Sequence, residues 1–324
     1  VASAIAEGAL ESVADGQRPR SLIWVGGRGA ADSAGAVLAA ALSGVASEPI
    51  VVSSEVPPWI GPLDVVVVAG DDAGDPAMVA AAALGVRRGA RVVVAAPFEG
   101  PLRDATAGRV AVFEPRMRVP DEFGLSRYLA VGLATLRAVD PALDIDLDAF
   151  ADELDAEALR NSVARDSFTN PAKLLAGRMS GHRVILAGQG PATIALARHA
   201  AVLLVRLAGV TAAPVGLADA LVALRMGMPR QFDDPMQALF HDEELDGPLP
   251  DRARAFVLML ESERPVVTAR VAGIDDVDTV GIEGAPEAAE SGPTPDLPRR
   301  PERQLAILAV RLEMAAVYLR LVGG

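Results

Sequence analysis

Two short glycine-containing stretches hold the residue types that could bind an anion or move a proton. The first reads Val25-Gly-Gly-Arg-Gly-Ala-Ala-Asp-Ser33 and the second Ala69-Gly-Asp-Asp-Ala-Gly-Asp-Pro76. Glycines let backbone N–H groups approach a ligand, and Arg28 adds a planar cation that meets a carboxylate or phosphate as a fork. Gly26, Gly27, Arg28, Ser33, Asp71 and Gly74 are therefore candidate ligand-binding residues. The aspartates pull the other way. Asp71, Asp72 and Asp75 place three carboxylates within five residues, and like charges at close range oppose an anion. Such a cluster suits a divalent cation through its oxygens, while a plain solvated turn is the simpler account.

Other chemistry-bearing residues are sparse. The three histidines, His182, His199 and His241, fall on separate segments, so spacing indicates structural or surface groups and no metal site. Zero cysteines remove disulfides, thiolate ligands and cysteine nucleophiles. Lys173 is the sole lysine among 30 basic residues. It is a further candidate anion ligand, with a helix-start surface lysine as the equal alternative. Asp219 falls at a helix start, where an aspartate more often serves as a cap.

These turns need a scaffold, and hydropathy supplies one. Ser21–Val25, Val65–Ala69, Arg91–Ala95 and Arg109–Phe113 read as strands. Ala30–Leu42 reads as a helix, and so does Pro76–Arg88 with proline in its first turn. Continuous β-branched runs separated by helical stretches indicate parallel strands covered on both faces, hence a doubly wound α/β sheet whose ligand crevice lies beyond the carboxyl ends of the strands. A second series begins at Asn170, with strands expected at His182–Ala187, Thr211–Val215, Ala255–Leu260, Val266–Val271 and Asp278–Ile282. Between Asp140 and Glu157 lie eight carboxylates and no basic residue, which reads as a solvated linker and helix face. Domains of 1–150 and 151–324 follow. Gly284–Gln304, with five prolines, reads as a mobile loop, and Leu305–Leu321 as a final helix packed on the core.

Composition narrows the partners. A length of 324 residues accommodates about two domains, and a hydrophobic fraction of 51% with only 4% aromatics means a core of small aliphatic side chains. A formal net charge of −13 argues against nucleic acid. No uninterrupted apolar run approaches the ~18–20 residues of a membrane span, and no export signal is evident. The expectation is a cytoplasmic protein with no membrane partner and no cofactor.

Across nearly its whole length the chain resembles the bifunctional phosphoglucose/phosphomannose isomerase family of sugar-isomerase (SIS) domain proteins. The first glycine turn is similar to that family's glycine-rich loop, and Val66–Pro76 aligns with its strand and Ser-x-Ser-Gly-x-Thr loop. Arg87–Val94, Asn170-Pro-Ala-Lys-Leu-Leu-Ala176, Phe240-His-Asp-Glu243 and Arg252–Glu263 follow in the family's order. The resemblance implies two tandem SIS domains, a homodimer and a sugar-phosphate ligand. It also implies residues that are missing. The family's phosphate-cradling hydroxyls fall on Asp71, Ala73 and Pro76. Its catalytic glutamate would lie near Leu203–Arg206, where there is no acid, and its histidine in Pro214–Leu221, where there is none. Arg116 or Arg118 matches its arginine. The expected function is a divergent SIS protein that binds a carbohydrate derivative with little or no isomerase activity. An active isomerase using Asp219 and Arg28, and a scaffold without ligand, are the alternatives.

Overall fold

Runs of valine and isoleucine bury both faces of the strands they form, and two such sheets organise the chain in the computed structural model. The structure describes residues 1–14, 16–226, 252–282 and 300–323. The first sheet comprises β1 (Ser21–Gly26), β2 (Ile50–Val52), β3 (Asp64–Ala69), β4 (Arg91–Ala95) and β5 (Ala111–Val112). Its order is β2-β1-β3-β4-β5 with every pair parallel. The second comprises β6 (Arg183–Gly188), β7 (Ala212–Gly216), β8 (Ala253–Leu258) and β9 (Val277–Val280), in the order β7-β6-β8-β9 and again all parallel. Matching β1–β4 to β6–β9 gives the same order in both sheets.

Helices cover the sheets. In the first half these are α1 (Ala2–Ala6), α2 (Ala30–Leu42), α3 (Pro76–Arg88), α4 (Gly100–Thr106), α5 (Leu125–Val139) and α6 (Leu147–Arg160). The second half has α7 (Pro171–Met179), α8 (Pro191–Leu203), α9 (Leu217–Arg225) and α10 (Arg264–Val271), and α11 (Pro301–Gly323) ends the chain. Two compact units result: Val1–Arg160 with Arg300–Glu313, and Asn161–Arg299 with Met314–Gly324.

In the first unit one sheet face, with Ile23, Val66, Val68 and Val94, packs against Met78, Ala81 and Ala82 of α3 and Leu102 of α4. The other face carries Trp24, fully buried, whose indole Nε1 donates to the carbonyl of Ala31 at 2.8 Å. Glycine makes room for the ring. A Cβ at Gly35 would lie 2.2 Å from Trp24, so α2 packs this closely only because position 35 has no side chain. In the second unit Ile185, Ala187, Ala255 and Val257 pack against Leu217, Ala220 and Leu221 of α9 and Val267 of α10.

Three sequence expectations change. Val266–Val271 is helical, not a strand, because Pro265 opens the helix and only Val267 of the valine pair turns inward while Val266 stays exposed. Pro301–Gln304 belongs to α11; the rest of the proposed loop, 284–299, lies outside the described residues. The acidic stretch is not wholly solvated either, since Glu157 is fully buried. The segment Pro191–Ala208 is long and apolar enough to cross a membrane by length and composition. It also carries Arg198, His199 and Arg206, and over half of it is buried inside the protein.

The first unit buries an ion cluster. Arg311 Nε donates to Glu157 Oε1 at 2.7 Å and Arg160 pairs with Oε2 at 2.8 Å, so this carboxylate is compensated, as a buried charge must be. Glu313, two residues beyond Arg311, has only burial acting on it, which pushes its carboxyl up to about 8. His199 in the second unit is the reverse case: burial first, then Arg206, pull its imidazole down to about 4.

A pH dependence follows. Between about pH 4.5 and 8 the folded chain keeps the Glu313 proton that the unfolded chain releases, so stability falls as pH rises, on the order of 1.4 kcal/mol per pH unit. Below about pH 6.5 His199 acts with the opposite sign, because there the unfolded chain binds the extra proton. The loss should therefore emerge between about pH 6.5 and 8, and Glu313→Gln should flatten it in urea titrations of the two proteins at several pH values.

Candidate functional site

The crevice at the carboxyl end of the first sheet is built by three turns. The turn after β1 presents Gly26, Gly27, Arg28 and Gly29, the turn after β3 runs Gly70–Asp75, and the segment after β4 brings Glu99, Gly100 and Pro101. Together Arg28, Asp71, Asp72, Ala73, Gly74, Glu99, Gly100 and Pro101 line a volume of about 580 Å³. Among them are one cation, three carboxylates, and no hydroxyl or imidazole.

Gly26 sets the geometry. A Cβ there would stand 2.6 Å from the Asp32 Cα, so only glycine lets α2 begin this close to the strand end. Arg28 is thereby held at the lip, 75% exposed, with Nη2 3.7 Å from Asp71 Oδ2. A pair this exposed contributes little to stability, but it does occupy the only guanidinium in the lining.

Several of the amides in these turns are taken by the chain itself. The amide of Gly27 donates to the Ala69 carbonyl at 2.7 Å and that of Gly70 to the Ala95 carbonyl at 3.1 Å. Asp72 Oδ1 accepts from the Gly74 amide at 2.8 Å. Asp75 caps α3, its Oδ1 accepting from Ala77 and Met78 amides at 2.8 and 3.3 Å. Two of the three aspartates therefore act as internal partners for their own loop, which is why the turn tolerates them.

Tyr128 of α5 lies close to this loop. Its phenol is pushed up to about 12, chiefly by burial, with Asp121 and Asp71 adding to the effect and Arg127 opposing it. It therefore stays protonated. The Arg127 guanidinium stacks 5.1 Å from the tyrosine ring and donates to the Phe113 carbonyl at 2.6 Å. Sequence reading missed Glu99 and Tyr128 because nothing in their local patterns marks them; the sheet order alone brings their segments here. Ser33 sits one turn inside α2, half-buried and outside the lining.

The remaining candidates fall elsewhere. Lys173 belongs to the second unit, where its Nζ donates to the carbonyls of Val163 and Arg165 at 2.9 and 2.7 Å and stands 5.5 Å from the Tyr318 ring. The Asn-Pro-Ala-Lys motif is a helix start: the Asn170 side chain accepts from the Lys173 amide at 3.0 Å and donates to the Ser162 carbonyl at 3.0 Å. Asp219 is exposed in the first turn of α9. Arg116 pairs with Glu7. His241 and the Phe240–Glu243 motif lie outside the described residues. Among the described residues no group of three histidine, aspartate or glutamate side chains is placed to hold a metal.

The fold is shared with solved structures. The chain aligns with tagatose-6-phosphate ketose/aldose isomerase from Escherichia coli at TM-score 0.66 and 15% identity, covering 99% of this chain and 88% of that one. It aligns with glucosamine-6-phosphate deaminase from Thermotoga maritima at TM-score 0.60 and 9% identity, covering 98% and 95%. A glucose-6-phosphate isomerase like protein from Thermus thermophilus aligns at TM-score 0.50 and 19% identity, covering 98% and 90%. No family model matches the sequence, and no curated protein does. At such identities the likeness establishes the α/β fold with two parallel sheets flanked by helices.

The capping role of Asp75 can be measured. Asp75→Ala should lower stability in urea by about 1 kcal/mol, within the range of 0.5–2 usual for a lost N-cap, whereas Asp75→Ser should retain most of it. Equal losses in the two variants would mean that the side chain is not the cap.

Proposed function

We propose that the chain is a sugar-derivative-binding protein of the sugar-isomerase type, with little or no aldose–ketose isomerase activity, and that its ligand sits in the crevice after β1, β3 and β4. One observation carries this reading: the turns that would cradle a phosphate are lined by one cation and three carboxylates and spend several of their amides on their own aspartates and on strand-end carbonyls. A phosphate would find Arg28, already beside Asp71 at 3.7 Å, and three carboxylates. Asp71 lies on the same side of the crevice as Arg28, so its negative charge offsets the arginine's attraction for an anion, while solvent weakens both effects at this exposed lip. Hydroxyls and amines suit this lining better, because carboxylates accept their hydrogen bonds and attract a cation. A neutral or aminated sugar is the ligand class that the charges favour.

Isomerisation needs a base placed to move a proton between adjacent carbons, and removing such a base commonly costs ~10²–10⁴-fold. Asp71, Asp72 and Glu99 line the crevice, but Asp72 is bound to its own loop and Asp71 faces Arg28. Both aspartates are thus engaged by the protein itself, and neither is held ready for a substrate carbon.

The test combines binding and turnover. In thermal-shift titrations glucosamine should stabilise the protein more than glucose 6-phosphate or fructose 6-phosphate, approaching ~2.7 kcal/mol at 100 times Kd, and Asp71→Asn should weaken that preference. Coupled assays with glucose 6-phosphate, mannose 6-phosphate and fructose 6-phosphate, with and without Mg²⁺, should show no turnover above background. Robust wild-type turnover abolished by Asp219→Ala would overturn the reading and establish the substitute base.

A further inference from the structure

The first unit holds a second cavity, of about 640 Å³, which shares no lining residue with the crevice at the sheet end. Three stretches of chain enclose it: residues 5–14, the C-terminal end of α5, and residues 141–147. On α5, Ala134, Arg137 and Ala138 fall at helical spacing and share one face, and the two alanines leave open the space that longer side chains would fill. Pro141 ends that helix, and the chain beyond it supplies Ile145 and Leu147. The N-terminal stretch reverses at Gly8, whose φ of +87° is a conformation that glycine adopts freely. Ile5 on one side of the reversal and Leu10 on the other thus reach the same cavity.

Most of the wall is apolar. Leu10, Ala134 and Ile145 are buried, while Ile5, Ala138 and Leu147 are half-buried. The charged lining residues are Glu11, Arg137 and Asp144. Asp144 has a partner already, its Oδ2 accepting from Arg300 Nη2 at 3.4 Å. Glu11 and Arg137 have none: among the described residues neither makes a hydrogen bond or a salt bridge, with the other or with a third residue. Arg137 acts only at longer range on Asp146, whose carboxylate accepts from the Asp148 and Ala149 amides at 3.1 and 3.0 Å. The Glu11 carboxylate lies over the lining, with Oε1 2.9 Å from where a Cβ on Gly8 would stand.

An apolar pocket with a few charged groups at its edge is the usual form of a small-molecule site. Here the two uncommitted groups have opposite sign. A simple anion gains from Arg137 and loses to Glu11, and a simple cation the reverse. A molecule carrying both charges satisfies both: its ammonium donates to the Glu11 carboxylate, and its own carboxylate accepts from the Arg137 guanidinium as a fork. The wall supplies leucine, isoleucine and alanine side chains and no aromatic ring, so the rest of the molecule is aliphatic.

We propose that this cavity is a second ligand site, for a free α-amino acid with an aliphatic side chain, held by Glu11 and Arg137. The proposal is independent of what occupies the first crevice. Calorimetric titration of the full-length chain with L-leucine should show saturable binding with Kd below about 1 mM. Two analogues dissect the charges: 4-methylpentanoate lacks the ammonium and 3-methylbutylamine lacks the carboxylate, and each should bind roughly tenfold or more weakly than leucine. Glu11 and Arg137 are exposed, so Glu11→Gln and Arg137→Gln should fold normally and each should weaken leucine binding by about tenfold or more. Arg28→Ala, in the first crevice, should leave it unchanged. No saturable binding up to about 10 mM leucine overturns the proposal. So does an analogue that binds as tightly as leucine, a Glu11 or Arg137 variant that binds it as the wild type does, or loss of binding in Arg28→Ala.

Discussion

At the end of β1 the backbone of Gly26 and that of Asp32 approach until no side chain fits between them, and most of the first crevice follows from that contact. A helix that starts so close to its strand leaves a turn of only three residues, 27–29. Arg28 is consequently fixed at the lip, and α2 is brought down onto Trp24, where Gly35 supplies the clearance. The same six-residue contact recurs between Gly188 and Ile194. Two halves with no visible residue-level repeat thus share one strand order and one steric solution.

The carboxylates that precede corresponding helices in the two halves are used differently. The aspartate before α3 is short and bonds its own helix start; the glutamate before α10, Glu263, is longer and crosses to the neighbouring turn. In each case a carboxylate of the chain itself accepts from nearby donors, backbone amides of α3 in the first half, and a hydroxyl and the Leu260 amide in the second. Negative charge near the sheet ends is in this sense structural, and it narrows what else can bind.

Much of this was legible in the residues. The strands β1, β3, β4, β6 and β8 announce themselves because continuous Val, Ile and Leu runs are what a doubly covered parallel strand requires. The exchange of hydroxyls for aspartates in the second loop was equally plain. The misread element, 266–271, is a short apolar run of the kind that periodicity cannot assign; Pro265 in the first turn was the available signal. Lys173 drew attention as the only lysine, whereas its ammonium is taken up by two loop carbonyls. Glu99, Tyr128 and Glu263 could not be read in advance, because each gains its role from a neighbour that is distant in sequence and near only through sheet order.

The last helix has a consequence for how the protein is made. Its opening residues, Arg300–Glu313, belong to the first unit, while Met314 onward belongs to the second. Glu157, fully buried, meets Arg311 across 154 residues of chain. On a ribosome, residues 1–160, with Arg160 already at hand for one oxygen of this carboxylate, emerge long before its second partner, Arg311, and at ~5–20 residues per second the interval is on the order of ten seconds. The first unit must wait, incomplete, while nearly all of the second is translated. Until residues 300–313 are made, the first unit folds without the helix segment that completes its core.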